Sequence, residues 1–437
     1  AMLDGEAAMR IVVRMAALQG ARELLSVSQV HIDGCTYIGP AGLRFAQQLV
    51  RWGAKVRVPT TLNAISVDKG NWRRLGVPEA LGEPADSLAE AYMAIGAIPT
   101  FTCAPYLLGS APQMGEQVGW GESNAVVFAN SVLGARTQKY ADFMDACIAL
   151  TGRAPRAGCH LDSERRARVI LALPEIHEAT LLDDSFYPTL GYLCGLRSEA
   201  RIPVLTGLEG ARPTRDDLKA FSAAFGTSSS AAMFHIVGVT PEAPDLATAL
   251  GNDTKVEMIQ LSHADLAGAW EELDSSSNHA VDLVALGNPH FSLEEHAKLA
   301  ALCQGRSKHP SVSVVVTTGP EVLAAARALG HSSELESFGV QLVSDTCWCM
   351  LGEIVPAPAT VLPSTARTLI TNSAKYAHYA PGLVGRQVRF ASLSGCVEAA
   401  CSGQLKKSAP RWTMPASLSA RGFSSGNNKN NNNSVNK

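Results

Sequence analysis

The sequence predicts an α/β fold with largely parallel sheets, and three observations carry that reading. From about residue 165 onward, short apolar runs alternate with helix-patterned stretches, the order expected of βαβ units. Several runs end abruptly in hydroxyl, amide, thiol or charged residues, and open α/β sheets commonly place ligands at the C-terminal ends of their strands. The chain has 437 residues, 46% hydrophobic and 18% charged, which suits a well-buried globular protein of two to three domains.

Taken in order, residues 8–18 put Ile11, Met15 and Leu18 on one face of an amphipathic helix. Residues 27–32 read as a strand ending at His31 and Asp33. The next helix spaces Phe45, Leu49 and Trp52 on one face and stops at Gly53. Residues 55–58 read as a strand running into a polar stretch that ends at Asn63. For His31, Asp33 and Asn63 the alternative is ordinary turn and capping chemistry, most of all for Asp33. A helix is expected over 86–95, with Leu88, Ala91, Tyr92 and Ile95 inward. A second carries Tyr140, Phe143, Met144, Cys147 and Leu150 and is capped by Gly152; Cys147 on that stripe is read as core. Strands are expected over 203–205, 233–239, 281–286, 312–318 and 340–343, with helices over 218–224, 293–302 and 320–329.

Composition excludes some functions. A net charge of −3 makes no case for nucleic acid or an anionic membrane. No apolar run is long enough to cross a bilayer, and the N-terminus lacks a secretion signal, so a cytoplasmic protein is expected. Residue 1 is alanine, which leaves open a start lost or processed upstream. Ten cysteines without a secretion signal do not suggest a disulfide frame, and no C-x2-C pairs suggest structural zinc. Residues 1–410 are expected to form one catalytic region of two to three α/β subdomains. Residues 411–437, rich in Ser, Gly and Asn, are expected to be a disordered tail.

Chemistry concentrates in glycine-punctuated polar motifs. Cys103 follows a short β-prone run. Gly-Glu-Ser-Asn-Ala at 121–125 is followed by Ala-Asn-Ser-Val-Leu-Gly-Ala-Arg-Thr at 129–137. Gly-Asn-Pro-His at 287–290 ends a buried strand, where a lone histidine such as His290 is more often structural than catalytic. Asp-Thr-Cys at 345–347 ends another. Thr-Asn-Ser-Ala-Lys-Tyr-Ala-His-Tyr at 371–379 turns a strand into a helix start, a ready anion site whose plainer explanation is an N-cap by Thr371 or Asn372. Three converging thiolates can hold an iron–sulfur cluster with one iron left open, although buried reduced cysteines are common.

Together with Val-Pro-Thr-Thr-Leu-Asn at 58–63, these motifs resemble the aconitase X family, over nearly everything from the first helix to about residue 403. The match is to its large, catalytic subunit or domain. The resemblance implies an aconitase-like scaffold and a two-iron or four-iron iron–sulfur cluster. It implies a hydro-lyase that takes cis-3-hydroxy-L-proline to Δ1-pyrroline-2-carboxylate, or mevalonate 5-phosphate in another branch, with iron as Lewis acid on the leaving hydroxyl. The wording at 31–34 and 372–379 is closer to the hydroxyproline branch. On the same resemblance Cys103, Cys347 and Cys396 are the expected metal ligands, with Cys349 and Cys401 as neighbouring alternatives. Ser123, His290, Ser373 and Lys375 are the catalytic candidates. Asn63, Glu122, Asn124, Asn130, Arg136, Thr137, Thr371 and Asn372 are the candidates for substrate contacts. The family's small swivelling domain has no counterpart in residues 1–437, so a small subunit or a missing fused domain is an expected partner. A non-catalytic binding or regulatory protein on the same scaffold is the rival expectation.

Overall fold

The structure, a computed structural model, describes residues 2–177, 181–251, 255–351 and 361–414. Among the described residues the strands form four sheets, three of them wholly parallel. The first is three-stranded, in the order Thr60–Leu62, Val30–Ile32, Gly119–Trp120. The second is four-stranded, in the order His235–Ile236, Pro203–Thr206, Val169–Ala172, Glu257–Gln260. The third is five-stranded, in the order Val340–Ser344, Ser313–Thr318, Leu283–Phe291, Thr368–Thr371, Gln387–Phe390. A two-stranded antiparallel ladder joins Leu24–Ser26 to Arg153–Pro155.

Helices connect the parallel strands. The helix Leu293–Cys303 shows why they form where they do. Ser292 accepts from the Glu295 N–H while the Glu295 carboxylate accepts from the Ser292 N–H, so two otherwise orphaned donors are satisfied at the start. His296, Leu299, Ala300 and Cys303 recur at helical spacing and form the buried face. Burying Leu299 contributes about 2 kcal/mol, and Ser292→Ala would cost about 1 kcal/mol of cap.

The helix Phe186–Ser198 is buried on nearly every face and packs against Arg215–Ser228. Gly191 and Gly195 permit that approach: a Cβ at Gly191 would run into the Phe221 carbonyl oxygen, and one at Gly195 into the Ser228 hydroxyl. Helix Ser123–Ser131, also almost wholly buried, packs on the same Arg215–Ser228 helix. All three helices contribute to one apolar core, and Glu122, at the head of Ser123–Ser131, is fixed in place.

Several expectations are corrected. Residues 55–58 are not a strand; the Val56 and Arg57 N–H groups bond the carbonyls of Ile95 and Ala149, and the ladder begins at Thr60. The first helix buries Ala8, Val12 and Ala16, leaving Ile11 and Leu18 exposed. Trp52 is exposed, and its helix buries Ala46 and Leu49. The helix expected at 86–95 begins earlier, as Glu79–Ala94, and that expected from Tyr140 is Met144–Thr151. The strand expected over 233–239 shrinks to His235–Ile236. Residues 411–413 form a packed turn, where Trp412 is 3% exposed and meets Phe186 edge-on. From 415 onward the expected disordered tail lies outside the described residues. Among the described residues, no helix is long and apolar enough to cross a membrane.

Candidate active site

The three-stranded sheet sets out the first wall. Ile32 pairs with Leu62, and His31 pairs with Trp120. Continuing that register puts Asn63, Asp33 and Glu122 side by side at the C-terminal edge. The Asn63 amide donates to the Asp33 carboxylate, while its own oxygen accepts from the Ala64 N–H at 2.7 Å. Gly121 must lack a side chain, because a Cβ there would lie 2.7 Å from Asp145 Oδ2 and 3.3 Å from the Asp33 Cβ. Glu122 caps the helix Ser123–Ser131, accepting from the Ala125 N–H at 2.7 Å and from the Asn124 amide. A carboxylate is well placed at that positive helix end.

The five-stranded sheet supplies the facing wall. Asn288 and His290 end its central strand, Cys347 and Cys349 follow Val340–Ser344, and Lys375 opens the helix after Thr368–Thr371. Asp345 turns the chain toward the site with φ +65°, a left-handed conformation that Asp tolerates better than most residues but that still costs about 1 kcal/mol. Two bonds hold it there: its carbonyl accepts from Ile65 N–H at 2.7 Å, and its carboxylate from Lys69 N–H at 3.1 Å.

Between the walls lies a group of thiols. The Cys103 and Cys347 sulfurs are 3.6 Å apart and pack with Ala64 and Met350. The Cys347 thiol also reaches Cys349. The Cys349 sulfur accepts from Asn288 Nδ2 at 2.9 Å, and the Cys103 sulfur from the His290 N–H at 3.3 Å. Ligand atoms of Cys103, His290 and Cys347 lie within 4.8 Å of one another. The His290 ring is already engaged: Nδ1 meets Thr102 Oγ1 at 3.1 Å and Nε2 meets the Thr346 carbonyl at 2.8 Å. Beside the thiols, Lys375 Nζ sits 2.9 Å from Glu122 Oε1, with both side chains buried.

The charges are mutually adjusted. The hydrogen bond from Cys347, helped by the Lys375 charge, pulls Cys349 down to about 6, so it is a thiolate near neutral pH. Burial works to raise Glu122 and to lower Lys375, but their pairing outweighs it and keeps both ionised. Burial pushes His290 and His31 down to about 4, so both are neutral. It also raises Asp33 well above the usual carboxylate range, reinforced by the nearby Glu122 and Asp145, and lowers Lys139 to about 8.

The structure brings together only part of the expected set. Cys103, Cys347, His290, Glu122, Lys375 and Asn63 converge. Cys396 does not: it is fully buried in the apolar layer between its helix and the five-stranded sheet. Its place in the thiol group is taken by Cys349. Both ring nitrogens of His290 are engaged, by Thr102 and the Thr346 carbonyl, and the Ser373 hydroxyl caps its helix at Tyr376 N–H and donates to the Asn288 carbonyl. Ser123 is half-buried at the start of its helix, next to Glu122.

The substrate-contact set is similarly divided. Asn124 is framework, bonding Tyr106 and the Cys103 carbonyl. So are Asn130, whose side-chain amide bonds the Thr137 N–H and carbonyl, the Ala232 carbonyl and Arg165, and Thr137, whose hydroxyl bonds the Trp120 backbone. Arg136 is paired with Asp162 and not with the thiol site. Thr371 accepts from the Ser373 N–H, and Asn372 borders a hollow shared with Arg215 and Lys298. Cys349 was read only as an alternative.

The donor set suits a metal or metal–sulfur group. Three thiols point inward, two sulfurs accept N–H bonds, and the buried Asn288 Oδ1 has no protein partner. A parallel α/β scaffold with such a centre between facing sheet edges defines an aconitase-type protein. Models of the aconitase X first, second and third domains match residues 3–163, 167–271 and 281–402. The chain is 61% identical over 411 residues to a cis-3-hydroxy-L-proline dehydratase of Pseudomonas aeruginosa, covering 93% of this chain and 69% of that protein. It is 35% identical to a phosphomevalonate dehydratase large subunit of Methanothermobacter thermautotrophicus, covering 88% of this chain and 93% of that one. The holo-form crystal structure of Thermococcus kodakaraensis aconitase X superposes with a TM-score of 0.79 at 29% identity, covering 91% of this chain and 95% of the other. The chain belongs to the aconitase X family.

Proposed function

We propose that this chain is a hydro-lyase that removes water from cis-3-hydroxy-L-proline, with an iron–sulfur group held by Cys103, Cys347 and Cys349. The observation that carries the reading is the 61% identity, over 93% of the chain, to a cis-3-hydroxy-L-proline dehydratase. When bound, the group supplies a Lewis acid for the departing hydroxyl. Lys375, kept cationic by Glu122 beside Cys349, holds the substrate carboxylate. Asn288 and the His290 N–H orient two sulfurs. The proton next to the carboxylate needs a base within hydrogen-bond reach. That base is assigned to a small subunit or fused domain, in keeping with the phosphomevalonate dehydratase relative's being a large subunit. Ten free thiols fit a reducing cytoplasm.

A second reading, the large subunit of a phosphomevalonate dehydratase, draws on the 35% identity over 392 residues to such a subunit. The test is anaerobic dehydration of cis-3-hydroxy-L-proline and of mevalonate 5-phosphate by the chain, alone and with a small-subunit homologue. Turnover of the hydroxyproline with the small subunit supports the first reading. Turnover of only the phosphate ester transfers the assignment to the second, and turnover by the isolated chain refutes the two-part site.

A further inference from the structure

Cys103 and Cys347 are 244 positions apart in sequence, yet their sulfurs lie 3.6 Å from one another. Neither residue is in a helix or a strand, so no regular ladder sets that spacing. The residue placed to set it is His290, near the end of the central strand Leu283–Phe291. Its Nδ1 meets Thr102 Oγ1 at 3.1 Å and its Nε2 meets the Thr346 carbonyl at 2.8 Å. The ring therefore spans the residue before Cys103 and the residue before Cys347. Thr102, His290 and Thr346 are 3%, 0% and 2% exposed. The main chain of His290 is held as well. Its N–H donates to the Cys103 sulfur at 3.3 Å, and its carbonyl accepts from Lys219 Nζ at 3.3 Å. Lys219 is in turn fixed by Asp216, at 3.2 Å, and by Glu295.

A ring nitrogen of His290 lies within 4.8 Å of both sulfurs, so the ring has the placement of a third metal ligand or of a brace between the other two. Hydrogen-bond chemistry separates these roles. A carbonyl only accepts, so Nε2 carries the proton toward Thr346. Burial keeps the ring neutral near pH 7, so Nδ1 has no proton and accepts from the Thr102 hydroxyl. The Thr102 oxygen itself accepts from the Ala104 N–H at 3.1 Å, which leaves its own proton for Nδ1. Neither nitrogen has a lone pair to spare. Gly319 gives this contact room, since a Cβ there would lie 3.0 Å from Thr102 Oγ1 and 3.7 Å from His290 Nδ1.

We infer that His290 is a positioning residue: its ring is the brace that sets the spacing of Cys103 and Cys347, and it does not coordinate the metal. The inference rests on the thiol centre proposed above and goes beyond it by giving the ring a role toward both thiols.

The test uses the full chain, purified anaerobically with iron. Electron spin-echo spectroscopy of the iron group in its paramagnetic state should show no directly bound imidazole nitrogen. A bound nitrogen that disappears in His290→Gln overturns the inference. A second arm needs no iron: cadmium(II) is titrated into the chelator-treated chain and followed by its thiolate absorbance. His290→Phe and Thr102→Val should each weaken cadmium binding by about 10–100-fold, the usual effect of removing a group that orients a metal ligand. His290→Gln, whose amide can again donate to the Thr346 carbonyl, should restore most of the affinity. His235→Phe is the control. It removes a buried ring from the edge strand of the four-stranded sheet, where Nε2 meets the Arg165 carbonyl at 2.7 Å, and should leave cadmium binding unchanged. Wild-type affinity in His290→Phe or in Thr102→Val, or an equal loss in His235→Phe, overturns the inference. If His290→Phe does not fold, Thr102→Val decides, because it leaves the ring in place. A His290-dependent cadmium site in a chain that holds no iron leaves the brace standing and removes the iron–sulfur reading instead.

Discussion

Replacing Lys375 by alanine strands Glu122. The two charges are 2.9 Å apart and their side chains are 8% and 7% exposed. At an effective dielectric of about 20, their attraction is about 6 kcal/mol, of which the desolvation of both groups takes back a large part. Glu122 keeps its helix-cap bond to Ala125 N–H in the variant, so it retains a reason to stay ionised and unpaired. The expected loss of stability is about 3–5 kcal/mol, the range for removing one partner of a buried pair. In a Glu122→Gln background the stranded charge is gone, and Lys375→Ala should cost at least about 2 kcal/mol less. The assay is urea unfolding of the four proteins of the double-mutant cycle, purified anaerobically. Additive effects, with a coupling below about 0.5 kcal/mol, would refute the claim that these residues form one buried electrostatic unit.

Asn130→Ala should lower stability by at least about 2 kcal/mol without changing KM, because it leaves buried donors and acceptors on Thr137, Ala232 and Arg165 without partners. Denaturation midpoints and steady-state kinetics on the same preparation check both halves. Arg136→Ala should alter stability by no more than about 1 kcal/mol and leave kcat/KM unchanged, since its partner Asp162 is 82% exposed. A tenfold loss of kcat/KM would return Arg136 to the substrate site.

Much of the site was legible because parallel strands end in polar clusters wherever a ligand is approached. Asn63, Glu122, His290 and Lys375 all lie in such clusters, and all four converge. What the sequence could not separate were residues whose polar groups face a ligand from residues whose polar groups face the backbone. Asn124, Asn130, Thr137 and Ser373 sit in the same motifs, yet they spend their hydrogen bonds on caps and loop carbonyls. Nor could spacing decide between paired cysteines. Cys396 is in the first turn of its helix, as a ligand would be, but the helix turns it onto the sheet and into the core. Asp33 was read as a turn residue; only the pairing register shows it beside Glu122. The helix Phe186–Ser198 escaped notice because a helix buried all round has no apolar stripe. Strands such as Gly119–Trp120 and His235–Ile236 are too short to show alternation.

The most direct measurement of the central claim is iron and sulfide content, with turnover of cis-3-hydroxy-L-proline, in Cys349→Ser and Cys396→Ser variants purified anaerobically with the small-subunit homologue. If Cys103, Cys347 and Cys349 form the catalytic centre, Cys349→Ser loses the metal and at least about a hundredfold in rate, a barrier increase of about 2.7 kcal/mol. Cys396→Ser keeps both, with at most a modest loss of stability. Full iron and turnover in Cys349→Ser, together with their loss in Cys396→Ser, would contradict the account.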